Sequence, residues 1–258
     1  MRRTSNLWAP MVVGMGLAVA TPAFAQAADD ERNIQPGAAL AALILNPNFI
    51  AAQKENLKKG IIRIDGEINQ AKQVEISTLI DYLDQTLSKN QAITFIINSE
   101  GGEADAGNAI ADKIKFLSRP TIAIAEGTAQ SIAFTIFMAA DKRIAYPTSF
   151  FMQHPVSARD DRKLSKAEKR ENQAVIDFQN RLADVELDGR TKLSNEQLKT
   201  MFSGTCLFGS AFALKYGFLT EIRAAKGQTA GSLPEGATPK PIHCPNWPKA
   251  EKMLPGVK

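Results

Sequence analysis

The chain has 258 residues, a formal net charge of +4 and 44% hydrophobic residues, so it is long enough for one sizeable domain. The positive charge belongs to the two ends of the chain, to Arg2 and Arg3 and to the segment from Arg223 onward. This placement argues against a nucleic-acid-binding protein, because the body between the ends carries no basic excess.

Residues 1–25 have the pattern of a secretory signal peptide. Arg2 and Arg3 supply the positive start, residues 9–20 form an apolar core, and Ala23, Phe24 and Ala25 form an A-x-A cleavage site. The apolar core is short for a permanent membrane anchor, and an uncleaved membrane helix is the alternative. We therefore expect cleavage near Ala25 and a periplasmic or secreted protein.

Residues 26–60 form an N-terminal extension, and from residue 61 to 222 short β-branched runs alternate with segments of helical periodicity. The predicted strands are residues 61–66, 92–97, 121–125, 143–146 and 149–153. The predicted helices are residues 74–87, 104–117 and 132–140, and two helices that open at S-x-x-E or S-x-x-Q capping patterns, at Ser165 and Ser194. This alternation predicts an α/β fold with a largely parallel sheet.

The helix that opens at Ser165 is long and charged, and it carries one apolar stripe: Val175, Phe178, Leu182 and Val185. Such a stripe packs on its own domain or forms a subunit interface, and the sequence leaves both open.

Residues 223–258 form a basic C-terminal tail rich in Pro and Gly, which we expect to be extended or disordered. One of the two cysteines, Cys244, lies in this tail and the other, Cys206, in the body. Export would permit a disulfide between them, but two separate thiols fit the sequence equally well. Because no Cys/His spacing resembles a zinc site, we predict no metal and no cofactor.

Ser131 lies where the strand at 121–125 and the following G-T-A-Q-S segment lead into an apolar helix. A serine there has two possible roles. Its hydroxyl can cap the helix, or it can act as a nucleophile beside backbone N–H groups that hold an oxyanion.

A serine nucleophile needs a base, and a neutral imidazole is the usual one near pH 7. Without the signal peptide the chain still has both of its histidines, and His154 lies at the end of a predicted strand whereas His243 lies in the tail. Gly101 and Gly102 form a turn before a helix, where backbone N–H groups can approach a substrate closely. The Ile132 N–H at the start of the apolar helix is a second candidate donor.

Four short motifs then point to a known family. They are I-I-N-S-E-G-G at residues 96–102, G-T-A-Q-S at 127–131, M-Q-H at 152–154 and A-L-K-Y-G at 213–217. In order and spacing the chain resembles the proteolytic subunit of the Clp serine proteases over residues 61–222. The resemblance implies a ClpP/crotonase-like fold of repeated ββα units with a protruding helical handle near residues 165–188, and homo-oligomeric rings.

The resemblance also implies roles for individual residues. Ser131 becomes the nucleophile, His154 the general base, and the N–H groups of Gly102 and Ile132 the oxyanion hole. The expected substrate is a peptide or an unfolded protein, cleaved through an acyl-enzyme.

The chain departs from the family pattern at several points. Thr205 stands where the family has its third triad residue, an aspartate, and a hydroxyl cannot stabilise an imidazolium as a carboxylate does. Asp160 and Asp188 are alternative carboxylates. Pro155 follows His154 directly, whereas the family has one residue between them. Because export would separate the chain from cytoplasmic ATP, we expect no ATPase partner.

Three other readings remain open at this stage. A degenerate relative would keep the fold as a scaffold or binding protein without turnover. A crotonase-type acyl-CoA enzyme would use the same kind of glycine turn, whose backbone N–H groups stabilise an oxyanion. A Ser-Lys peptidase would use a lysine base, for which Lys163, Lys166 and Lys169 are the candidates.

Overall fold

The computed structural model of the chain describes residues 47–157, 165–187, 189–223 and 238–255, all within one compact unit. The strands are β1 (Ile61–Asp65), β2 (Ile93–Ser99), β3 (Thr121–Gln130), β4 (Lys142–Ala145), β5 (Phe150–Gln153), β6 (Cys206–Gly209) and β7 (Glu221–Ile222). The helices are α1 (Pro47–Lys58), α2 (Gln70–Thr86), α3 (Ala104–Lys115), α4 (Ile132–Ala139), α5 (Lys166–Glu186), α6 (Asn195–Phe202), α7 (Ser210–Lys215) and α8 (Trp247–Glu251).

The described strands form one mixed sheet, in which β1, β2, β3, β4 and β7 are parallel neighbours in that order. The long strand β3 pairs with β4 over its first half and with β5 over its second half. Strand β6 then adds to β5 in the antiparallel direction. The predicted α/β fold with a largely parallel sheet is confirmed, and β3 is the strand that leads into Ser131.

Helix α4 is buried along its whole length, as its apolar sequence requires. Phe134 on α4 packs against Phe151 of β5 and Phe208 of β6, with ring centroids 6.0 and 5.7 Å away. Fully burying one such ring stabilises the fold by about 1.5–3 kcal/mol. The aromatic cluster therefore fixes α4 against the strand that ends just before His154.

Two predicted boundaries were wrong by four or more residues, the first for a local reason and the second because of a long-range contact. Helix α2 begins at Gln70 rather than 74, because the Asn69 side chain accepts a hydrogen bond from the Lys72 N–H and caps the helix. Strand β3 continues beyond residue 125 to Gln130, because its second half gains a new partner in β5. Ser131 is therefore the single residue between strand and helix.

The helix starts predicted from capping patterns are confirmed. Ser165 and Glu168 exchange hydrogen bonds at the start of α5, and Ser194 and Gln197 do so at the start of α6. On α5, Val175 and Phe178 are each 53% exposed. The side chains of Leu182 and Val185 lie outside the described part of the chain.

The prediction of an extended or disordered C-terminal tail was wrong for residues 238–255. His243 bridges to Leu207 of β6, and Trp247 packs on Phe212 with ring centroids 4.9 Å apart. A disulfide joins Cys206 to Cys244, so of the two alternatives left by the sequence the disulfide is present and the pair of free thiols is not. Apolar contacts and a covalent link fix a segment whose composition alone suggests disorder.

The predicted signal peptide and residues 26–46 lie outside the described residues. In the part of the chain that is described, no helix combines the length and the apolar character that crossing a membrane demands.

The disulfide closes a loop of 38 residues, and restricting such a loop in the unfolded chain stabilises the fold by at most about 4 kcal/mol. We therefore expect the double variant Cys206→Ser, Cys244→Ser to lose about 2–4 kcal/mol of unfolding free energy, measured by urea titration. Reductant should produce the same loss in the unchanged chain and none in the double variant. Equal stability of both chains under oxidising conditions would contradict this role.

Candidate active site

Ser131 has a backbone conformation that few residues adopt. Its φ is 52°, and among the described residues it is the one non-glycine residue with positive φ. Such a conformation costs about 1–3 kcal/mol and is concentrated at functional sites. The Ser131 side chain makes no capping hydrogen bond to α4, so the structure does not support the helix-cap role.

Hydrogen bonds to the backbone at both ends of α4 hold this helix and the strand–helix junction at Ser131 in place. The Ser131 N–H donates to the Met152 carbonyl oxygen at 2.7 Å, which ties the junction to β5. At the other end, the Arg190 guanidinium donates to the carbonyl oxygens of Met138 and Ala139 at 2.7 and 3.0 Å. Cationic donors complement the negative C-terminal end of a helix.

Arg143 is a second, buried cation at this end, and it donates to the Ala140 carbonyl oxygen at 3.0 Å. Burial lowers the pKa of Arg143 to about 10, and the neighbouring charge of Arg190 acts in the same direction. Arg143 therefore stays protonated near neutral pH and keeps its donors on the backbone.

The turn at Gly101 and Gly102 requires glycine at both positions. A Cβ on Gly101, whose φ is 99°, would lie 2.8 Å from the Ser131 Cβ, and one on Gly102 would lie 2.0 Å from the Ile68 carbonyl oxygen. Neither the Gly102 N–H nor the Ile132 N–H donates a hydrogen bond within the described chain. Two backbone donors beside Ser131 are thus available to an incoming oxygen.

Gly107 on α3 is a contributor that the sequence analysis did not single out. A Cβ there would lie 2.1 Å from Cγ1 of Ile132, so this glycine lets α3 pack directly on the start of α4. A glycine inside a periodic helical segment is the signal that would have identified it.

The sequence-predicted residues Ser131, His154, Gly102 and Ile132 all line one cavity of about 500 Å³. Its other lining residues are Glu103, Ala104, Asp105, Asn108, Thr135, Gln153, Val156, Ser157 and Gln179. The described lining contains two carboxylates and neither Lys nor Arg. The cavity is thus polar, and it has the size of a site for a peptide side chain or a small ligand.

His154 lies directly after β5, half-buried at the cavity wall. Its Nδ1 atom is 2.7 Å from the carbonyl oxygen of Pro155. Because a carbonyl oxygen only accepts, this contact places a proton on Nδ1, and in the neutral form of the ring Nε2 is then the acceptor. The hydrogen bonds of the described residues do not include one between Ser131 and His154; apo sites often tighten only when substrate binds.

Thr205 directly precedes β6, and the hydrogen bond of the His154 Nδ1 atom goes to Pro155 rather than to Thr205. The threonine precedes Cys206, which pairs with Gln153 across β5 and β6, but its side chain is exposed and does not line the cavity. The alternative carboxylates Asp160 and Asp188 lie outside the described residues.

The lysine candidates do not reach this cavity. Lys166 and Lys169 are on the exposed first turn of α5 and are not among the lining residues, and Lys163 lies outside the described chain. Within the described residues, no group of three or more His, Cys, Asp or Glu side chains is arranged to hold a metal ion.

Known proteins of one family are similar to this chain. The family model for Clp protease matches residues 46–226. The chain is 31% identical over 134 residues to the ATP-dependent Clp protease proteolytic subunit of Deinococcus radiodurans, which covers 51% of this chain and 65% of that subunit. It is 38% identical over 95 residues to subunit 2 of Treponema denticola, covering 36% of this chain and 47% of that subunit.

The matched segments thus span less than two thirds of these curated relatives. Among solved structures, a ClpP1 variant from Listeria monocytogenes superposes with a TM-score of 0.60 and 25% identity, over 68% of this chain and 97% of that one. The predicted ClpP-like α/β fold is confirmed.

The contact between Gly107 and Ile132 leads to a test of the site. We expect Gly107→Ala to push Ile132 and its N–H group away from Ser131. If the site hydrolyses peptides, kcat for that hydrolysis should fall by about 10–100-fold, because displacing a group of the site by about 1 Å has an effect of this size. The comparison variant is Gly209→Ala, where the nearest atom to the new Cβ is 3.9 Å away. An unchanged kcat in a folded Gly107→Ala protein would show that α4 tolerates the displacement.

Proposed function

Since the chain belongs to the Clp protease family, we propose that it is an exported serine peptidase that cleaves peptides or unfolded proteins without an ATPase partner. The observation that carries this proposal is the Ser131 backbone, whose positive φ presents an uncapped hydroxyl to the cavity that His154 also lines. A strained serine facing a base and two unused backbone donors suits acyl transfer.

In the proposed reaction, Oγ of Ser131 attacks the peptide carbonyl carbon while Nε2 of His154 accepts the hydroxyl proton. The carbonyl oxygen becomes an oxyanion that the N–H groups of Gly102 and Ile132 stabilise. His154 gives the proton to the departing amine, which leaves the acyl group on Ser131. Water, deprotonated by His154, then hydrolyses the ester and restores the serine.

A scaffold without turnover is the second candidate. The observation in its favour is Thr205, which stands in the third triad position with an exposed side chain, while the His154 Nδ1 atom is bonded to Pro155 instead. Absence of hydrolysis in a folded, mature protein would favour this candidate over the peptidase.

Export is proposed from the signal-peptide pattern at residues 1–25. The bond between Cys206 and Cys244 supports it, because disulfides persist in oxidising compartments such as the periplasm. A full-length, uncleaved chain confined to the cytoplasmic fraction would contradict export.

The decisive experiment is hydrolysis of a fluorogenic peptide and of an unfolded protein by the mature chain. We expect Ser131→Ala and His154→Ala each to lower kcat/KM by about 10³-fold or more, because either change removes a reacting group. Ser88→Ala removes an exposed serine that does not line the cavity, and it should leave kcat/KM unchanged. An unchanged kcat/KM in Ser131→Ala would refute the proposal.

Assembly into a homo-oligomer is proposed through α5. Val175 and Phe178 lie one turn apart on the same face, and each is 53% exposed. Exposed apolar side chains grouped on one helix face are characteristic of subunit contacts.

We expect the double variant Val175→Glu, Phe178→Glu to form a smaller assembly, because buried charges without partners oppose association. Light scattering after size-exclusion chromatography measures the mass, and Asn172→Glu on the same helix is the matched control. An unchanged mass in the double variant would exclude this face from the interface.

A further inference from the structure

His154 has a hydrogen-bond partner that the family pattern does not supply. The acceptor for its Nδ1 is the main-chain carbonyl of Pro155, at 2.7 Å, rather than a carboxylate or the Thr205 hydroxyl. This carbonyl is within reach because Pro155 follows His154 without an intervening residue. A main-chain oxygen thus holds the proton on Nδ1 and leaves Nε2 for the serine.

The Pro155 carbonyl is itself held in one direction. Proline fixes its own φ near −65°, so relative to the pyrrolidine ring the carbonyl reorients only by rotation about ψ of Pro155. That carbonyl belongs to the same planar peptide unit as the Val156 N–H, and in a trans peptide the two groups point in opposite directions. Whatever holds the Val156 N–H therefore also directs the Pro155 oxygen.

Asn180 on α5 holds that N–H. Its Oδ1 accepts a hydrogen bond from the Val156 N–H at 2.6 Å, and its Nδ2 is 3.5 Å from the Val156 carbonyl oxygen. The amide side chain of Asn180 thus contacts both polar groups of Val156, and it approaches the Pro155–Val156 peptide at the N–H edge, whereas His154 approaches it at the carbonyl edge. Asn180 is half-buried, as expected for a structural rather than a solvent-facing amide.

We propose that Asn180 is a positioning residue: through the Val156–Pro155 peptide it keeps His154 in the tautomer that can accept a proton from Ser131. A carbonyl dipole in this role orients the ring but stabilises a developing imidazolium less than a full negative charge does. The residue acts through two covalently linked groups and touches no reacting atom. Its catalytic consequence rests on the proposed peptidase function, whereas its effect on the His154 tautomer does not.

The tautomer is measured directly by ¹⁵N magnetic resonance of histidine-labelled mature protein. The chain has two histidines, so His243→Ala leaves one labelled ring. In that background we expect the Nδ1–H form of neutral His154, retained in Asn180→Asp, whose carboxylate still accepts from the Val156 N–H. Asn180→Leu has no acceptor, and we expect the Nε2–H form to gain population. An unchanged tautomer in Asn180→Leu would overturn the proposal.

Peptide hydrolysis supplies the second readout. We expect Asn180→Leu to lower kcat by about 10–100-fold with KM unchanged. Residues that orient a reacting group without touching the substrate have effects of this size. Asn180→Asp should restore kcat to within about threefold of the unchanged chain. Asn172→Leu makes the same exchange at an exposed position of α5 and should have no effect.

The two readouts separate the two proposals. An unchanged chain that keeps the Nδ1–H tautomer but hydrolyses nothing would refute the peptidase function and leave the positioning contact in place. A loss of kcat in Asn180→Leu that Asn180→Asp does not restore would refute the positioning role even if hydrolysis is confirmed.

Discussion

The hydrogen bond from the Ser131 N–H to the Met152 carbonyl oxygen is the contact on which the site depends. It joins the end of β3 to β5 two residues before His154, so the proposed nucleophile and base are carried by directly bonded strands. Phe134 reinforces the link from the helix side by packing on Phe151, the residue before Met152. Together these contacts supply the free energy that keeps Ser131 in its strained conformation.

The site replaces only one of the two roles of a triad aspartate. An aspartate would both orient the imidazole and stabilise its positive charge. Here a main-chain carbonyl, directed by Asn180 across one peptide bond, orients the ring without supplying a net charge. A peptidase with this site would orient its imidazole but would give the developing imidazolium less electrostatic stabilisation, in keeping with Thr205 at the acid position.

Local patterns predicted the central strands and helices and four of the residues that line the cavity. Strands β1 and β2 were predictable because their β-branched runs are short and bounded, and the start of α5 at Ser165 was predictable because capping is a local interaction. Long-range contacts were not predictable. The extension of β3 comes from pairing with β5, and the order at residues 238–255 comes from a disulfide and the packing of Trp247. Asn180 was not predicted because its partner, Val156, lies 24 residues away in the sequence.

The most direct test of the central claim, that Ser131 is a nucleophile activated by His154, is covalent labelling of the mature chain by a fluorophosphonate, followed by peptide mapping. We expect one adduct per chain, on Ser131, that is lost in His154→Ala while the protein remains folded and assembled. An adduct on another serine, or none on a folded and assembled chain, would contradict it.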